Sequence, residues 1–285
     1  MTGVVLNPSA GGGRAGRRWP EMEPALRRVF PNIEIRVTAG RGEATRLARE
    51  LLNRGAATII AVGGDGTANE VANAGPPCLG VLPVGSAGDF ARTLGAPRDW
   101  RAGIEWLGRA RPVPIDAAQA TFTALDGTRQ TRRFLNMASL ALGGRAVRRT
   151  GMPYLAAALL ELRRPCPEIH LAVDGSEYLG SLLHVAVGNG RTQGAGMRVC
   201  PRAEVDDGWL DITAIGPVSL FDVAMNLRKL YSGALLGHRK VLYWRGRLIR
   251  AESQAPVAVE LDGEPAGFLP LEIRVEPSAL RVLCA

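Results

Sequence analysis

The chain has 285 residues, room for one large domain or two of ordinary size. Hydrophobic residues make up 46% and charged residues 22%, which excludes a disordered chain, and no apolar run approaches the roughly 18 residues that a membrane span needs. The net charge of +8 favours anionic partners such as phosphates or acidic membrane, but no aromatic stacking pattern accompanies the arginines, which argues against nucleic acid.

Through residue 117 strand and helix alternate. Met1–Pro8 has no basic leader segment and reads as a first strand, with Gly3–Asn7 as its short apolar run, so a cytoplasmic protein is expected. Arg14–Val29 has room for a helix, and Ile33–Thr38 alternates as a strand. Glu43–Arg54 places Ala44, Leu47, Ala48, Leu51 and Leu52 at helical spacing, and Gly55 stops it. Ala57–Val62 is a continuous apolar run, the mark of a strand buried on both faces. Thr67–Ala74, Leu79–Leu82 and Asp89–Leu94 follow as helix, strand and helix. This rhythm predicts an α/β domain whose parallel sheet is covered by helices.

After Ile115-Asp116 the pattern changes. Glu168–Val173, the Asp174-Gly175 turn and Ser176–Val187 read as a hairpin. Trp209–Ile215, Val241–Trp244, Val257–Leu261 and Leu271–Val275 are further strand-like runs of an antiparallel β domain, interrupted by the amphipathic segment Leu220–Leu236. Cys78, Cys166, Cys200 and Cys284 include no CxxC pair, so neither a zinc site nor a disulfide framework is suggested.

The strongest chemical signal is Gly63-Gly64-Asp65-Gly66-Thr67, between the buried strand and a helix. Glycines there let phosphate approach the backbone amides, and the helix directs its positive end to the same place. Asp65 makes sense if a cation shares the site, because Mg²⁺ prefers carboxylate and phosphate oxygens. Asn7-Pro8-Ser9-Ala10-Gly11-Gly12-Gly13 is a second glycine-rich strand-to-helix turn. It formally matches the dinucleotide fingerprint, but Thr38 stands where a ribose-binding carboxylate is expected, and no GxxxxGK[ST] occurs. A third such turn, Leu82–Arg92, carries Ser86 and Asp89, and Asp116 ends a further strand-like run. In an open parallel sheet these strand ends share one edge, which gathers Asn7, Asp65, Asp89 and Asp116 along one rim. Asp262-Gly263-Glu264 lies between two strand-like runs, and Glu204, Asp206, Asp207 and Asp211 cluster around Gly208, either as a solvated turn or as oxygen ligands for a divalent ion.

This ordered set resembles the diacylglycerol kinase catalytic family, which includes sphingosine and ceramide kinases and is distantly related to NAD kinases. The matching pieces run from Asn7-Pro8-x-Ala10-Gly11, through Gly63–Thr67 with Asn69-Glu70, Leu82-Pro83-x-Gly85-Ser86 to Asp89–Arg92, and Asp116, to Gly188-Asn189, Gly194-x-Gly196-Met197, Pro201–Asp211 and Asp262-Gly263-Glu264. The resemblance implies an ATP-binding α/β domain over residues 1–117, to which 278–285 return, and a β-sandwich substrate domain over 118–277, with the active site in the cleft between. It implies nucleotide contacts at Asn7, Pro8, Ser9, Ala10, Gly11, Thr38, Gly63, Gly64, Asp65, Gly66, Thr67, Ala68, Asn69, Glu70, Gly85 and Ser86. It implies a catalytic Mg²⁺ network of Asp65, Asp89 and Asp116, a base at Asp262 or Glu264, and a structural Mg²⁺ at Glu204, Asp207 and Trp209. The third loop departs from the family's Gly-Thr-x-Asn-Asp: Ser86 keeps the hydroxyl, but Gly88 lacks the amide side chain.

The activity that follows is transfer of the ATP γ-phosphate to a hydroxyl-bearing lipid, with an NAD kinase-like enzyme and a non-catalytic nucleotide or lipid sensor as alternatives. Leu220–Leu236, beside Arg228, Lys229, Arg239 and Lys240, and Tyr154–Leu162, beside Arg148, Arg149, Arg163 and Arg164, are amphipathic enough for transient contact at the inner membrane surface. Packing on the core is the preferred expectation for both. The resemblance also allows a homodimer.

Overall fold

The structure is a computed structural model that describes residues 1–149 and 152–285. The chain divides into two compact units, Met1–Ile115 with Ser278–Ala285, and Asp116–Pro277.

In the first unit the elements are β1 (Thr2–Leu6), α1 (Ala10–Val29), β2 (Ile33–Val37), α2 (Glu43–Asn53), β3 (Thr58–Gly63), α3 (Asp65–Ala72), β4 (Leu79–Pro83), α4 (Asp89–Thr93) and α5 (Trp100–Arg109). The strands pair in parallel in the order β2-β1-β3-β4, with Val4 opposite Ile35 on one side and Ile60 on the other. Near the C-terminus Val282 pairs with Leu79 and extends this sheet. Val4, Val5, Ile59, Ile60, Val62, Leu79 and Leu82 are buried, as continuous apolar strands covered on both faces must be. The helix α2 buries Ala44, Leu47, Ala48 and Leu51, the face that its spacing predicts. The helix α5 falls where the sequence reading assigns no element. Its Asp99 cap accepts from the Arg101 and Ala102 amides, and Trp100, Ile104 and Leu107 are buried. Gly103 obscures its pattern, yet a Cβ there would come within 2.8 Å of Leu82 Cδ1.

The loops after β1, β3 and β4 approach so closely that they exclude side chains. A Cβ on Gly85 would stand 2.5 Å from Gly64 Cα, and one on Gly11 would stand 2.5 Å from the Val84 carbonyl oxygen. The expected glycine-rich turn precedes the regular helix: α1 is counted from Ala10, but Gly11, Gly12 and Gly13 are left-handed, with φ of 64°, 68° and 80°, so its right-handed turns follow them from Arg14, as the sequence predicts.

The second unit takes over within β5 (Arg111–Ala124). It continues through β6 (Arg129–Phe134), β7 (Met137–Ala141), α6 (Leu142–Ala146), α7 (Tyr154–Glu161), β8 (Glu168–Val173), β9 (Ser176–Ser181), β10 (His184–Gly188), β11 (Leu210–Ile215), α8 (Leu220–Ser232), β12 (Val241–Gly246), β13 (Leu248–Glu252), β14 (Ala258–Leu261) and β15 (Glu264–Cys284). Its pairings are antiparallel: β12-β11-β10-β7-β14-β15 in one path, β15-β13-β8-β9 in another, and β6 on β5. Phe122, Phe134, Leu140, Ile169, Ile249 and Ile273 share one buried core. The predicted arm Ser176–Val187 is two strands, β9 and β10, that pair with different neighbours.

Packing on the core describes α7 in part, since Ala157, Ala158 and Glu161 are buried. In the segment Leu220–Leu236, α8 has no buried residue, although its Leu230 packs against the cluster of Met137, Ala186 and Met197, and Leu235 beyond it is buried. None of the helices is long and apolar enough to cross a membrane, among the described residues.

The loop contacts give a direct stability test. Gly85→Ala forces its methyl into the Gly64 backbone, and overpacking of this kind costs about 1–3 kcal/mol. Urea denaturation should show that loss. An unchanged midpoint would mean that the loops do not meet in this way.

Candidate active site

In the first unit the carboxyl ends of β1, β3 and β4 carry the three glycine-rich loops. Asn7 Nδ2 donates to Thr67 Oγ1 at 3.1 Å, which ties the first loop to the second, and Asn7 Oδ1 accepts the Ser9 amide at 3.1 Å. The helix α3 starts at Asp65 with no side chain capping its first turn. The first amides of a helix lack intrahelical acceptors, so this start offers N–H donors and the positive end of the helix dipole to an anion. Gly63 is required for a further reason, because a Cβ there would meet Thr67 Oγ1 at 2.5 Å.

Asp65 joins the second loop to the third. Its Oδ2 accepts the Asp89 amide at 3.1 Å and its Oδ1 the Phe90 amide at 3.0 Å, so it caps α4 across the sequence. Asp89 is buried, and its Oδ1 lies 3.8 Å from Arg92 Nε. A carboxylate carries about four lone pairs, so accepting amides is compatible with sharing a cation. Asp65 and Asp89 fit a Mg²⁺ held mainly by phosphate oxygens, which needs only one or two carboxylates. Within either unit no group of three or more His, Cys, Asp or Glu forms a metal-holding cluster, among the described residues.

Other predicted nucleotide contacts have identifiable local roles. The Glu70 carboxylate accepts the Gly42 amide at 3.0 Å and the Ala44 amide at 2.9 Å, fixing the start of α2. Thr38 is buried at the end of β2 and donates its amide to the Leu6 carbonyl. Asn69 is also buried, and Asn73 Nδ2 donates to its Oδ1 at 3.0 Å. Pro8 and Ala10 belong to the first loop and Ala68 to the buried face of α3, whereas Ser9 and Ser86 are exposed. Sequence reasoning missed Arg14, Arg18 and Arg98. They line a polar cavity with Gly85, Ala87 and Gly88, and Arg14 donates to the Gly85 carbonyl at 3.2 Å. The signal was the position of Arg14, one residue beyond the glycine run.

In the second unit Asp116 is buried. Its Oδ2 accepts the Gly208 amide at 2.6 Å, and its carbonyl accepts from Asn189 Nδ2 at 3.0 Å. Glu204, Asp207 and Trp209, to which the resemblance assigns a structural Mg²⁺, have protein partners in this structure. Glu204 is exposed, with Arg191 3.9 Å away, and Asp207 pairs with Arg245 while accepting the Trp209 amide. Arginine supplies the positive charge there. Asp211 accepts from Tyr243 Oη at 2.6 Å; burial raises its pKa and pushes that of Tyr243 up to about 12.

The Asp262–Glu264 turn holds two unlike carboxylates. Asp262 is buried, and its oxygens accept the Leu135, Asn136 and Met137 amides at 2.8, 2.9 and 2.9 Å. Glu264 is half-buried and meets Arg132 Nη2 at 3.5 Å. Elsewhere in this unit, between α7 and α8, an apolar cavity of about 850 Å³, counting its open mouth, is lined by residues such as Leu142, Leu155, Leu162, Met197, Val223 and Leu230.

Family models match both parts of the chain: the diacylglycerol kinase catalytic domain over residues 2–120, and the YegS C-terminal NAD kinase β-sandwich-like domain over residues 138–284. A "Probable lipid kinase YegS-like" of Pseudomonas aeruginosa is 33% identical over 280 residues, covering 90% of this chain and 86% of its own length. Another from Pseudomonas putida is 35% identical over 265 residues, 88% and 84% of the two chains. A crystal structure of a diacylglycerol kinase from Bacillus anthracis shares the fold with a TM-score of 0.75 at 22% identity, covering 100% of this chain and 97% of that one. Yeast NADH kinase does so with a TM-score of 0.55 at 13% identity, covering 100% and 82%. The chain belongs to the YegS-like lipid kinase family, in which a diacylglycerol kinase catalytic domain is joined to a YegS-type β-sandwich-like domain.

Proposed function

We propose that this protein is an ATP- and Mg²⁺-dependent lipid kinase that transfers the γ-phosphate to a hydroxyl of diacylglycerol or a related lipid. The observation that carries the acceptor class is the apolar cavity of the second unit. Its leucine, methionine and valine walls suit a hydrocarbon chain rather than a dinucleotide.

Each group then has a role. The uncapped start of α3 and the glycine-rich loops grip the phosphates. Asp65 and Asp89 hold Mg²⁺, which neutralises charge on the transferring phosphoryl group. Glu264 accepts the proton of the substrate hydroxyl as its oxygen bonds to the γ-phosphorus and the bond to the ADP oxygen breaks. Asp262, saturated by backbone amides, fixes the turn that presents Glu264. Arg14, Arg18 and Arg98 add positive charge beside the third loop.

The outward face of α8 supports contact with a bilayer. Leu220, Phe221 and Met225 are 51%, 73% and 67% exposed. At 100° per residue they share an exposed arc with Ala224, Arg228 and Tyr231, an arc that holds no carboxylate. Its opposite face, with Val223 and Leu230, lines the cavity. A helix that faces lipid on one side and the cavity on the other gives a chain a short path between them.

ADP release from MgATP, screened over diacylglycerol, sphingosine, ceramide and NAD in mixed micelles, should occur with a lipid and not with NAD; release with NAD alone, or with no acceptor, would contradict the reading. Glu264→Gln should lower turnover by about 100-fold or more at an unchanged melting temperature. Asp262→Asn should lower both, because an amide group would face three backbone N–H donors. Replacing Phe221 and Met225 by serine should weaken co-sedimentation with phosphatidylglycerol vesicles severalfold, and unchanged binding would remove α8 as the contact.

A further inference from the structure

Two residues of the cavity lining carry buried polar atoms. Gln193 is 5% exposed and His184 4%, and both line the cavity. Gln193 Oε1 and His184 Nδ1 have no hydrogen-bonding partner. Other polar side chains on the lining are committed. Asp222 accepts from the Ser219 amide and Lys240 Nζ, Asn226 Nδ2 donates to the Asp222 carbonyl, and His238 Nδ1 accepts the Lys240 amide. An acceptor left bare in such a wall is costly, so its persistence points to a ligand that supplies the missing donor.

The chemistry narrows that ligand. Gln193 Nε2 donates to Ser139 Oγ at 3.0 Å and to Glu260 Oε2 at 2.5 Å, which orients the amide and leaves its oxygen as an acceptor. His184 is neutral, since burial, followed by the nearby Arg145 charge, lowers its pKa to about 4. A neutral imidazole offers one donor and one acceptor. An ester carbonyl only accepts and would leave Gln193 Oε1 bare. A hydroxyl both donates and accepts, and satisfies both residues.

His184 and Gln193 also share a neighbourhood. Ser139, which binds Gln193, lies against Gly143, and a Cβ on Gly143 would approach His184 Cε1 to 2.9 Å. Glu260 in turn accepts the Gly263 amide at 2.6 Å. The polar wall is therefore the side of the cavity that abuts the Asp262–Glu264 turn. We propose that this cavity recognises lipids bearing a free hydroxyl, which donates to Gln193 Oε1 and bonds His184 Nδ1 while the hydrocarbon runs along Leu155, Leu162 and Leu230. The inference rests on the lipid-kinase reading and deepens it, because it assigns the residues that select the substrate's polar group. A site built around a hydroxyl rejects analogues that lack it far more strongly than an apolar pocket rejects a missing methylene.

Titration calorimetry of the full chain with 1-dodecanol and with dodecyl methyl ether separates these ideas without catalysis. The two probes share a chain and an oxygen acceptor, and only the alcohol has a donor. The alcohol should bind about tenfold tighter or more. His184→Phe, which leaves the Glu260 network intact, and Gln193→Met should each shrink that preference while the ether still binds, with melting curves confirming that both variants fold. Equal affinities for the wild type, as when a buried water serves the two atoms, would overturn this inference alone. Binding of neither probe would overturn it together with the assignment of the cavity to lipid.

Discussion

The first unit depends on the exclusion of side chains where its three loops meet. Gly64 and Gly85 touch backbone to backbone, and Gly11 abuts the Val84 carbonyl. That contact lets one carboxylate, Asp65, accept amides from the start of a helix more than twenty residues away. It also lets Asn7 reach Thr67. The outcome is a sheet edge made of backbone N–H groups, one uncapped helix start and two neighbouring carboxylates. Such an edge binds anions through dipoles already in place, which lowers the reorganisation needed during phosphoryl transfer.

The second unit repeats the device with a second carboxylate. Asp262 gathers three consecutive amides from the start of β7, so a buried anion orders the backbone. Beside it the buried Glu260, Ser139 and Gln193 form a polar seam along an otherwise hydrocarbon wall. On the proposed reading, a cavity of this composition would accept a chain through its area and read the polar part of the ligand through a few atoms. The outer face of α8 shows the same economy, with large apolar residues exposed on one side and the cavity lined on the other.

Much of this was legible in the sequence. The continuous apolar run ahead of Gly63 and the helical spacing of Ala44, Leu47, Ala48 and Leu51 marked the alternation of the first unit, and the ordered glycine motifs marked the edge where its loops meet. The misses have local causes. Gly103 masks α5 because close packing on Leu82 leaves no room for a side chain there. The strand β6, Arg-Gln-Thr-Arg-Arg-Phe, is mostly exposed and lacks the apolar alternation that marks a half-buried strand. The acidic run around Gly208 left a solvated turn and a cation site both open, because Arg245, which pairs with Asp207, lies 38 residues away in sequence. The unpaired atoms of Gln193 and His184 exist only once β7, β10 and β14 have brought their neighbours together.

Hydrogen–deuterium exchange with and without MgATP tests the central claim most directly, since it reads the backbone amides that are held to do the binding. Nucleotide should slow exchange in residues 9–16, 63–70 and 84–90, and leave 206–211, where Arg245 pairs with Asp207, unchanged. Saturating MgATP that leaves those three segments unprotected would contradict the account.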